Sequence, residues 1–250
     1  MTLHIESPDE HLRVVTLARP EKLNAITLSM LEDLERFLDR CDAEDVRVAV
    51  LTGAGANFSA GYDIPEIRAA TAGDHLIMDA RRQEVVERWF NTPMITIAAL
   101  RGVCVGAGAI FATASDLRVA GPDLRFRVTA ASYGGANLTW VLHHLVGLGR
   151  ARDLLLTART VDGDEASAIG LVERFVDDDT VLAAAVDLAR SVARHPPDGP
   201  RTTKRLINQA LGTDPLAALR TEHVHQARSL LTERNEPLFS SFRSGSERSC

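Results

Sequence analysis

The chain has 250 residues, of which 45% are hydrophobic, so it can bury one sizeable core and does not need two independent domains. Its formal net charge of −6 at pH 7 argues against nucleic acid or an anionic membrane as a partner, because both attract basic surfaces. Three scattered cysteines without metal-ligand spacing fit a reducing compartment and argue against a disulfide framework. The N-terminus shows no leader pattern and no apolar run reaches membrane-spanning length, so we expect a soluble, cytoplasmic protein without a bound metal.

Strand and helix patterns alternate in the first part of the chain. Residues 11–18 partly alternate polar and apolar side chains, which predicts a strand exposed on one face. Apolar residues at helical spacing predict an amphipathic helix over residues 28–38, with Thr27 or Ser29 as its cap. The β-type run at residues 46–52 is closed by glycines and predicts the next strand. This order of elements is typical of an α/β fold.

The later part of the chain changes from alternating elements to helices. A helix is predicted over residues 66–89, with a possible loop at 73–74, and a strand over 94–100. The alternation persists to about Val128, and helical periodicity follows it. The later predicted helices cover residues 138–148, 150–157, 164–168, 180–194, 202–211 and 215–231. The residue patterns alone therefore predict a mixed α/β chain.

Two segments share one design, in which a β-type run leads into glycine and then into a helical pattern. They are residues 58–64, Phe-Ser-Ala-Gly-Tyr-Asp-Ile, and residues 95–112, which contain three glycines. Such a turn leaves backbone N–H groups without helical acceptors. Two turns that face each other could bind a single oxygen and stabilise a thioester enolate or oxyanion. For either turn alone, an ordinary strand-to-helix connection is the alternative.

These turns, together with four other segments, resemble the enoyl-CoA hydratase/isomerase (crotonase) family. The six segments follow the family's order: residues 19–25, 50–53, 58–63, 102–108, 115–120 and 146–151. The resemblance implies an α/β fold, a crotonase-like spiral of ββα units over residues 1–195. It also implies a C-terminal helical region over residues 196–250, used for trimer contacts within a single structural unit, and assembly as a homotrimer or a dimer of trimers. The apolar stripe over 216–231, followed by Leu238, Phe239 and Phe242, suits such packing or an ordinary core helix.

The resemblance also assigns roles to particular residues. The backbone N–H groups of Tyr62 and Ala107 correspond to the family's oxyanion-hole donors. Coenzyme A enters as part of an acyl-CoA thioester substrate, so no separate cofactor is implied. The positions that match the coenzyme A and acyl pocket are Lys22, Leu23, Ala25, Ala60, Asp63 and Ile64.

The general acid–base groups are where the sequence departs from the family. The two positions that hold glutamates in a hydratase correspond to Ile110 and Ala130, and neither can transfer a proton. Because each such group contributes about 10²–10⁴-fold in rate, ordinary hydration is not expected. Isomerisation, thioester hydrolysis, a displaced base, and a non-catalytic acyl-CoA carrier or sensor remain open. Polar candidates near the predicted cleft are Asp63, Asp116, Thr129, Ser132, Tyr133, Asn137, His143 and His144.

Three of these candidates have a simpler interpretation. Asp116 matches a largely structural aspartate of the family, and His143 and His144 fall on a predicted helix, where surface or packing roles are usual. The sequence contains no Gly-x-Ser-x-Gly elbow, phosphate-binding loop, His-Glu-x-x-His or Cys-x-x-Cys motif. Nucleotide triphosphate, nicotinamide and zinc chemistry are therefore not expected.

Overall fold

A computed structural model describes residues 2–41 and 43–230 of the chain. The predicted apolar residues Leu238, Phe239 and Phe242, and the last part of the predicted C-terminal region, lie outside these residues. Contacts between residues group the described chain into one unit that ends at Arg201 and another that begins at Thr202.

The described residues form short strands and helices in an order that starts with a hairpin. The strands are β1 (Leu3–Asp9), β2 (Leu12–Leu17), β3 (Val48–Gly53), β4 (Ile95–Leu100), β5 (Val103–Val105), β6 (Leu117–Ala120), β7 (Arg125–Arg127), β8 (Val161–Asp162) and β9 (Arg174–Phe175). The helices are α1 (Leu28–Cys41), α2 (Ile64–Ala69), α3 (Ala72–Asn91), α4 (Ala107–Ala114), α5 (Leu142–Val146), α6 (Leu148–Thr157), α7 (Gly163–Ala168), α8 (Val181–Ala193), α9 (Asp198–Ala210) and α10 (Pro215–Leu230).

Two sheets organise the larger unit. The six-stranded sheet has the order β1-β2-β3-β4-β6-β9, and only its β1–β2 pair is antiparallel. The three-stranded sheet has the order β5-β7-β8, with β5 and β7 parallel. The chain passes from β4 of the large sheet directly into β5 of the small sheet. The second glycine turn therefore continues from the end of β5.

The large sheet is covered on both faces, which explains why β3 and β4 are buried along their whole length. Ala49 and Leu51 pack into a cluster with residues of α1, α3 and α4. Val48 and Val50 point to the other face, where α8 covers them. Parallel strands buried on both faces read as continuous apolar runs, as β3 and β4 do.

The helix boundaries follow local capping. Thr27 is the cap of α1, because its hydroxyl accepts a hydrogen bond of 3.2 Å from the N–H of Met30. The predicted interruption at residues 73–74 is wrong: the break between α2 and α3 lies at Ala70 and Thr71. There the Thr71 and Asp74 side chains form a capping box that starts α3.

The strands β1, β8 and β9 lie outside the regions where strands were predicted. In β1 only Leu3 is buried, so the strand carries no clear alternation of apolar residues, and Pro8 is tolerated because β1 is an edge strand. The strands β8 and β9 each contain two residues, too few to show a period of two. The expectation that strand signals end before Leu138 is therefore corrected by β8 and β9.

The smaller unit contains most of α9 and all of α10. The Arg205 guanidinium lies against the His225 ring, with nitrogen–nitrogen distances of 3.2 and 3.3 Å. The helix predicted over residues 202–211 begins earlier than expected. The helix α9 begins at Asp198, and Pro200 is accommodated because the first helical turn needs no N–H donor there.

Candidate active site

The two glycine turns lie side by side because their leading segments pair in parallel. The N–H of Ser59 donates to the carbonyl of Val103, and the carbonyl of Ser59 accepts from the N–H of Val105, both at 2.9 Å. Ser59 is thereby paired with Cys104, which lies between Val103 and Val105. Two residues after Ser59, Gly61 approaches the backbone of Gly106 and Ala107.

Glycine is required where the two turns meet. Gly61 has φ +98° and Gly106 has φ +56°, both in the region that side chains disfavour. A methyl group on Gly61 would lie 2.9 Å from the carbonyl oxygen of Val105 and 3.1 Å from the nitrogen of Ala107. The two backbones are therefore in direct contact at this point.

The N–H groups of Tyr62 and Ala107 are both left without an acceptor by the local backbone. Ile26 donates to the carbonyl of Gly61 at 2.7 Å and accepts from the N–H of Asp63 at 2.9 Å, so the N–H of Tyr62 points away from Ile26. Ala107 is the first residue of α4, where an N–H has no intrahelical acceptor and the helix dipole is positive. Within the described residues neither N–H donates a hydrogen bond. Two such donors on facing turns can bind one oxygen.

A fully buried asparagine connects the first loop of the chain to the first glycine turn. The Nδ2 of Asn24 donates to the carbonyls of Ala54 and Asn57, at 2.9 and 2.8 Å. The Ser59 hydroxyl donates to the Asn24 carbonyl at 2.8 Å and accepts from the N–H of Gly61 at 3.1 Å. Sequence reasoning assigned no role to Asn24 or Ser59, and their burial is the property that a sequence does not display directly.

The predicted coenzyme A residues lie together at this loop. Lys22 and Leu23 are exposed, and the carbonyl of Lys22 accepts a 3.0 Å hydrogen bond from the N–H of Ala25. The carbonyl of Leu23 accepts a 2.9 Å hydrogen bond from the N–H of Ala60, which joins the loop to the glycine turn. Ile64, at the start of α2, is also exposed.

Asp63 has a structural role in this arrangement. Its carboxylate accepts from the Arg19 guanidinium at 2.9 Å and from the N–H of Glu66 at 3.1 Å, so it caps α2 and forms an ion pair. Burial acts to raise the pKa of Asp63, but the hydrogen bonds from Glu66 and Arg19 outweigh it and hold the pKa below its usual range. A carboxylate of this kind is a weak base, which disfavours Asp63 as a displaced general base.

Apolar side chains occupy the two positions that the family resemblance predicts for the glutamates of a hydratase. Ile110 is half-buried on α4, and Ala130 is buried at the start of a short 3₁₀ helix. The Thr129 hydroxyl lies beside Gly106 of the second glycine turn. A methyl group on Gly106 would lie 3.6 Å from that hydroxyl oxygen.

The other polar candidates are held elsewhere or exposed. The carboxylate of Asp116 accepts hydrogen bonds from the N–H and the hydroxyl of Thr96, at 2.7 and 2.9 Å, as expected for a structural aspartate. The rings of His143 and His144 lie against each other, with centroids 3.9 Å apart. Ser132 and Tyr133 are exposed, and Asn137 is half-buried.

The side chain of Tyr62 lies under a buried arginine that the sequence reasoning missed. The central carbon of the Arg82 guanidinium lies 4.2 Å from the centroid of the Tyr62 ring. Burial raises the pKa of Tyr62 to about 12, which the positive charge of Arg82 partly opposes and the charges of Asp79 and Tyr133 reinforce. The Tyr62 phenol therefore stays neutral at physiological pH.

A signal for Arg82 was present in the sequence. On α3 it occupies the buried stripe formed by Met78, Val85 and Trp89, at the spacing of successive helical turns. Its place on this apolar stripe distinguishes Arg82 from its neighbour Arg81. The Arg81 guanidinium instead forms an ion pair with the carboxylate of Glu35.

The described residues can also be searched for membrane-spanning helices, metal sites and reactive thiols. No described helix is long and apolar enough to cross a membrane. No group of three or more His, Cys, Asp or Glu side chains among the described residues is placed to hold a metal ion. Cys41 and Cys104 are buried, and burial raises the pKa of the Cys104 thiol well above its usual range.

Comparison with known proteins identifies the class. The sequence pattern of the family described as enoyl-CoA hydratase/isomerase matches residues 8–236. The short-chain-enoyl-CoA hydratase of Clostridium acetobutylicum is 30% identical over 214 residues, which is 84% of this chain and 82% of the relative. The 1,2-epoxyphenylacetyl-CoA isomerase of Escherichia coli K12 is 32% identical over 215 residues, which is 83% of this chain and 81% of the relative.

The fold agrees with these sequence matches. A crystal structure of an enoyl-CoA hydratase from Bacillus anthracis superposes with a TM-score of 0.93 and 25% identity, covering 98% of this chain and 97% of that one. The mixed α/β structure is thus that of a crotonase-fold protein, and the predicted α/β fold is confirmed. The chain belongs to the enoyl-CoA hydratase/isomerase family.

Proposed function

We propose that the protein binds an acyl-CoA thioester and holds its carbonyl oxygen with the N–H groups of Tyr62 and Ala107. The observation that carries this proposal is the close approach of Gly61 to the backbone of Ala107. A methyl group added to Gly61 would lie 3.1 Å from the nitrogen of Ala107. It supports two rigid donors aimed at one oxygen, which is the arrangement that stabilises negative charge on a thioester carbonyl.

The coenzyme A moiety is assigned to the loop of residues 20–25 and the start of α2. Lys22 supplies an exposed cation for a phosphate, and the exposed side chains of Leu23 and Ile64 supply apolar surface beside it. The backbone of Ala25 and Ala60 completes this surface. Asp63 contributes by holding the loop through Arg19 rather than by contacting the ligand.

We further propose that the reaction is not ordinary hydration. Ile110 and Ala130 cannot position or activate water, and Asp63 is held in its ionised form by Arg19 and Glu66. The function that we propose first is an enzyme of this class that isomerises the acyl group or hydrolyses the thioester. The similarity to a relative named as an isomerase, 32% identical, is in keeping with it.

The alternative is a non-catalytic acyl-CoA carrier or sensor. It is favoured by the apolar character of Ile110 and Ala130 and by the exposed or structural positions of the acidic and histidine candidates. A carrier needs the two N–H donors for binding, but it needs no proton-transfer group. The two alternatives predict the same binding and differ in turnover.

Calorimetric titration with crotonyl-CoA and with a long-chain enoyl-CoA tests the shared proposal, and mass spectrometry of the recovered ligand tests the reaction. We expect binding of at least one ester. The recovered ester should have unchanged mass if the protein isomerises or carries it, and free coenzyme A should be recovered instead if the protein hydrolyses the thioester. A gain of one water would contradict the proposal that hydration is lost. Chromatographic separation of the recovered ester then distinguishes an isomerase from a carrier, since isomers have equal mass.

A matched pair of glycine variants connects the binding to the turns. Gly61→Ala should abolish binding, because the added methyl group separates the turns. Gly170→Ala adds a methyl group to another glycine with positive φ, +80°, whose nearest contact would be 3.6 Å, and should bind as the parent does. If neither ester binds to the parent protein, the acyl-CoA proposal is wrong.

We also propose assembly as a homotrimer or a dimer of trimers in the cytoplasm, as the family resemblance implies. Light scattering coupled to size-exclusion chromatography measures the mass directly. A mass three or six times the 27.2 kDa of one chain is expected, and a monomer would contradict it.

A further inference from the structure

Arg82 is a charged side chain that the fold buries without satisfying. It is 8% exposed, and its Nε and Nη2 atoms are buried with no hydrogen-bond acceptor among the described residues. A guanidinium keeps its positive charge under physiological conditions. A buried and unpaired charge is strongly unfavourable, and an anion that binds the Arg82 guanidinium would remove this cost.

The same chain shows how a buried structural arginine is satisfied. Arg118 is 1% exposed, and its Nε donates to the carbonyl of Leu171 at 2.8 Å. Its terminal nitrogens reach the carbonyl of Ser115 at 2.8 Å and the carboxylate of Glu173. Arg82 has no equivalent set of partners, so packing alone does not account for it.

The carboxylates near Arg82 have other positions or partners. Asp79, one turn earlier on α3, is exposed, and the two described side chains form no ion pair. Glu35 is bound by Arg81 and Arg88. The described protein thus supplies no counter-ion to Arg82, and a ligand is the remaining source within this part of the chain.

The position of Arg82 indicates which part of a ligand would meet it. Its guanidinium stacks on the ring of Tyr62, whose backbone we assign to the thioester carbonyl. The phosphates of coenzyme A are assigned to the loop at Lys22, which is exposed. Arg82 therefore belongs to the acyl end of the ligand.

We propose that the acyl group of the substrate carries a carboxylate, and that Arg82, held against Tyr62, binds it. This inference rests on the proposed acyl-CoA binding and narrows its substrate class to thioesters of dicarboxylic acids. A guanidinium binds a carboxylate through parallel N–H donors, and Arg82 has two buried donors available for that purpose.

The test compares anionic and neutral thioesters of equal chain length. Succinyl-CoA and glutaryl-CoA are titrated calorimetrically against butyryl-CoA and pentanoyl-CoA at constant pH and ionic strength. We expect the parent protein to bind at least one anionic ester about 10- to 100-fold more tightly than its neutral counterpart, as a charge-assisted hydrogen bond predicts. In Arg82→Gln this ratio should fall to about 1, and Arg82→Lys should retain part of it because the charge remains.

Arg190→Gln is the matched control for the loss of one positive charge. Arg190 is exposed on α8, which covers the face of the large sheet opposite to the α3 cluster. Its ion pairs with Asp9 and Asp187 are exposed and contribute little to stability. The preference for the anionic ester should be the same in this variant as in the parent, and circular dichroism establishes that each variant is folded.

The possible failures are distinguishable. If the parent binds neutral esters and shows no preference for anionic ones, the inference about Arg82 is wrong and the acyl-CoA proposal stands. If Arg82→Gln and Arg82→Lys are folded and weaken neutral and anionic esters equally, Arg82 acts on the coenzyme A moiety or on the fold, which also overturns the inference. If no ester binds, the acyl-CoA proposal itself fails.

Discussion

Replacing Gly61 by alanine perturbs the contact on which the candidate site depends. The added methyl group would lie 2.9 Å from the carbonyl oxygen of Val105 and 3.1 Å from the nitrogen of Ala107, and both of these neighbours are backbone atoms that cannot rotate away. The φ of +98° at Gly61 adds a conformational cost of about 1–2 kcal/mol for any residue with a Cβ. Overpacking of this kind costs about 1–3 kcal/mol more. We therefore expect Gly61→Ala to lower the free energy of unfolding by about 2–5 kcal/mol.

The contact can be separated from the backbone strain by comparison with Gly170→Ala. Gly170 also has positive φ, but its nearest neighbour would be the carbonyl oxygen of Leu145 at 3.6 Å, an ordinary contact. This variant should lose only about 1–2 kcal/mol. Urea unfolding followed by tryptophan fluorescence measures both, because Trp89 is fully buried in the core. If the two variants lose equal stability with unchanged m-values, the two turns are not in the contact described, and the reasoning about the donors fails with it.

Three further predictions concern groups around the site. Asp63→Asn keeps a helix cap but loses the ion pair with Arg19, and Asp63→Ala should lower the free energy of unfolding by about 1 kcal/mol more because the cap is lost as well. Because the pKa of Asp63 is lowered in the folded parent protein, its contribution to stability is present above the usual carboxyl range and is lost as the pH falls below that range. The free energy of unfolding of Asp63→Asn, measured against pH, should lack this contribution. Asn24→Asp replaces the amide donor to two buried carbonyls and should cost about 2–6 kcal/mol in urea unfolding, and a loss below 1 kcal/mol would contradict the buried pairing. In Tyr133→Phe, ultraviolet titration reports Tyr62 alone, and we expect ionisation near pH 12 with stability falling from about pH 10 to about pH 12; a midpoint at pH 10 would show that the phenol is solvated.

The glycine turns could be predicted from the sequence because their chemistry is local. A glycine after a β-type run predicts a turn wherever it occurs, and Gly61 and Gly106 both have the positive φ that this implies. What the residues alone left open was whether the two turns meet. That depends on the pairing of Ser59 with β5, a contact between segments 45 residues apart along the chain. The family resemblance supplied this long-range information before the structure did.

Most of the features that were missed depend on tertiary burial. Asn24 and Arg82 are polar residues whose importance lies in being inaccessible to water, at 0% and 8% exposure. Local sequence does not encode the neighbours that cover Asn24, whereas the apolar stripe of α3 marks the position of Arg82 without showing what lies against it. The strand β9 is similar, since its two residues become a strand by pairing with β6. The break between α2 and α3 is different: the Thr71 and Asp74 capping box is visible in the sequence, and the glycine at position 73 was given more weight than the cap.

The charges assigned to the site lead to one argument about its substrate. The family resemblance predicts the two glutamates of a hydratase at positions 110 and 130, and the residues there, Ile110 and Ala130, carry no charge. Beside Tyr62 the chain instead places Arg82, a cation with two buried donors that no described residue accepts. The loss of two negative charges and the presence of one positive charge change the electrostatics of the acyl end in the same direction. An acyl group that itself carries a carboxylate is the ligand whose charge fits that change, while the two N–H donors on the glycine turns need nothing of the acyl chain beyond its thioester carbonyl.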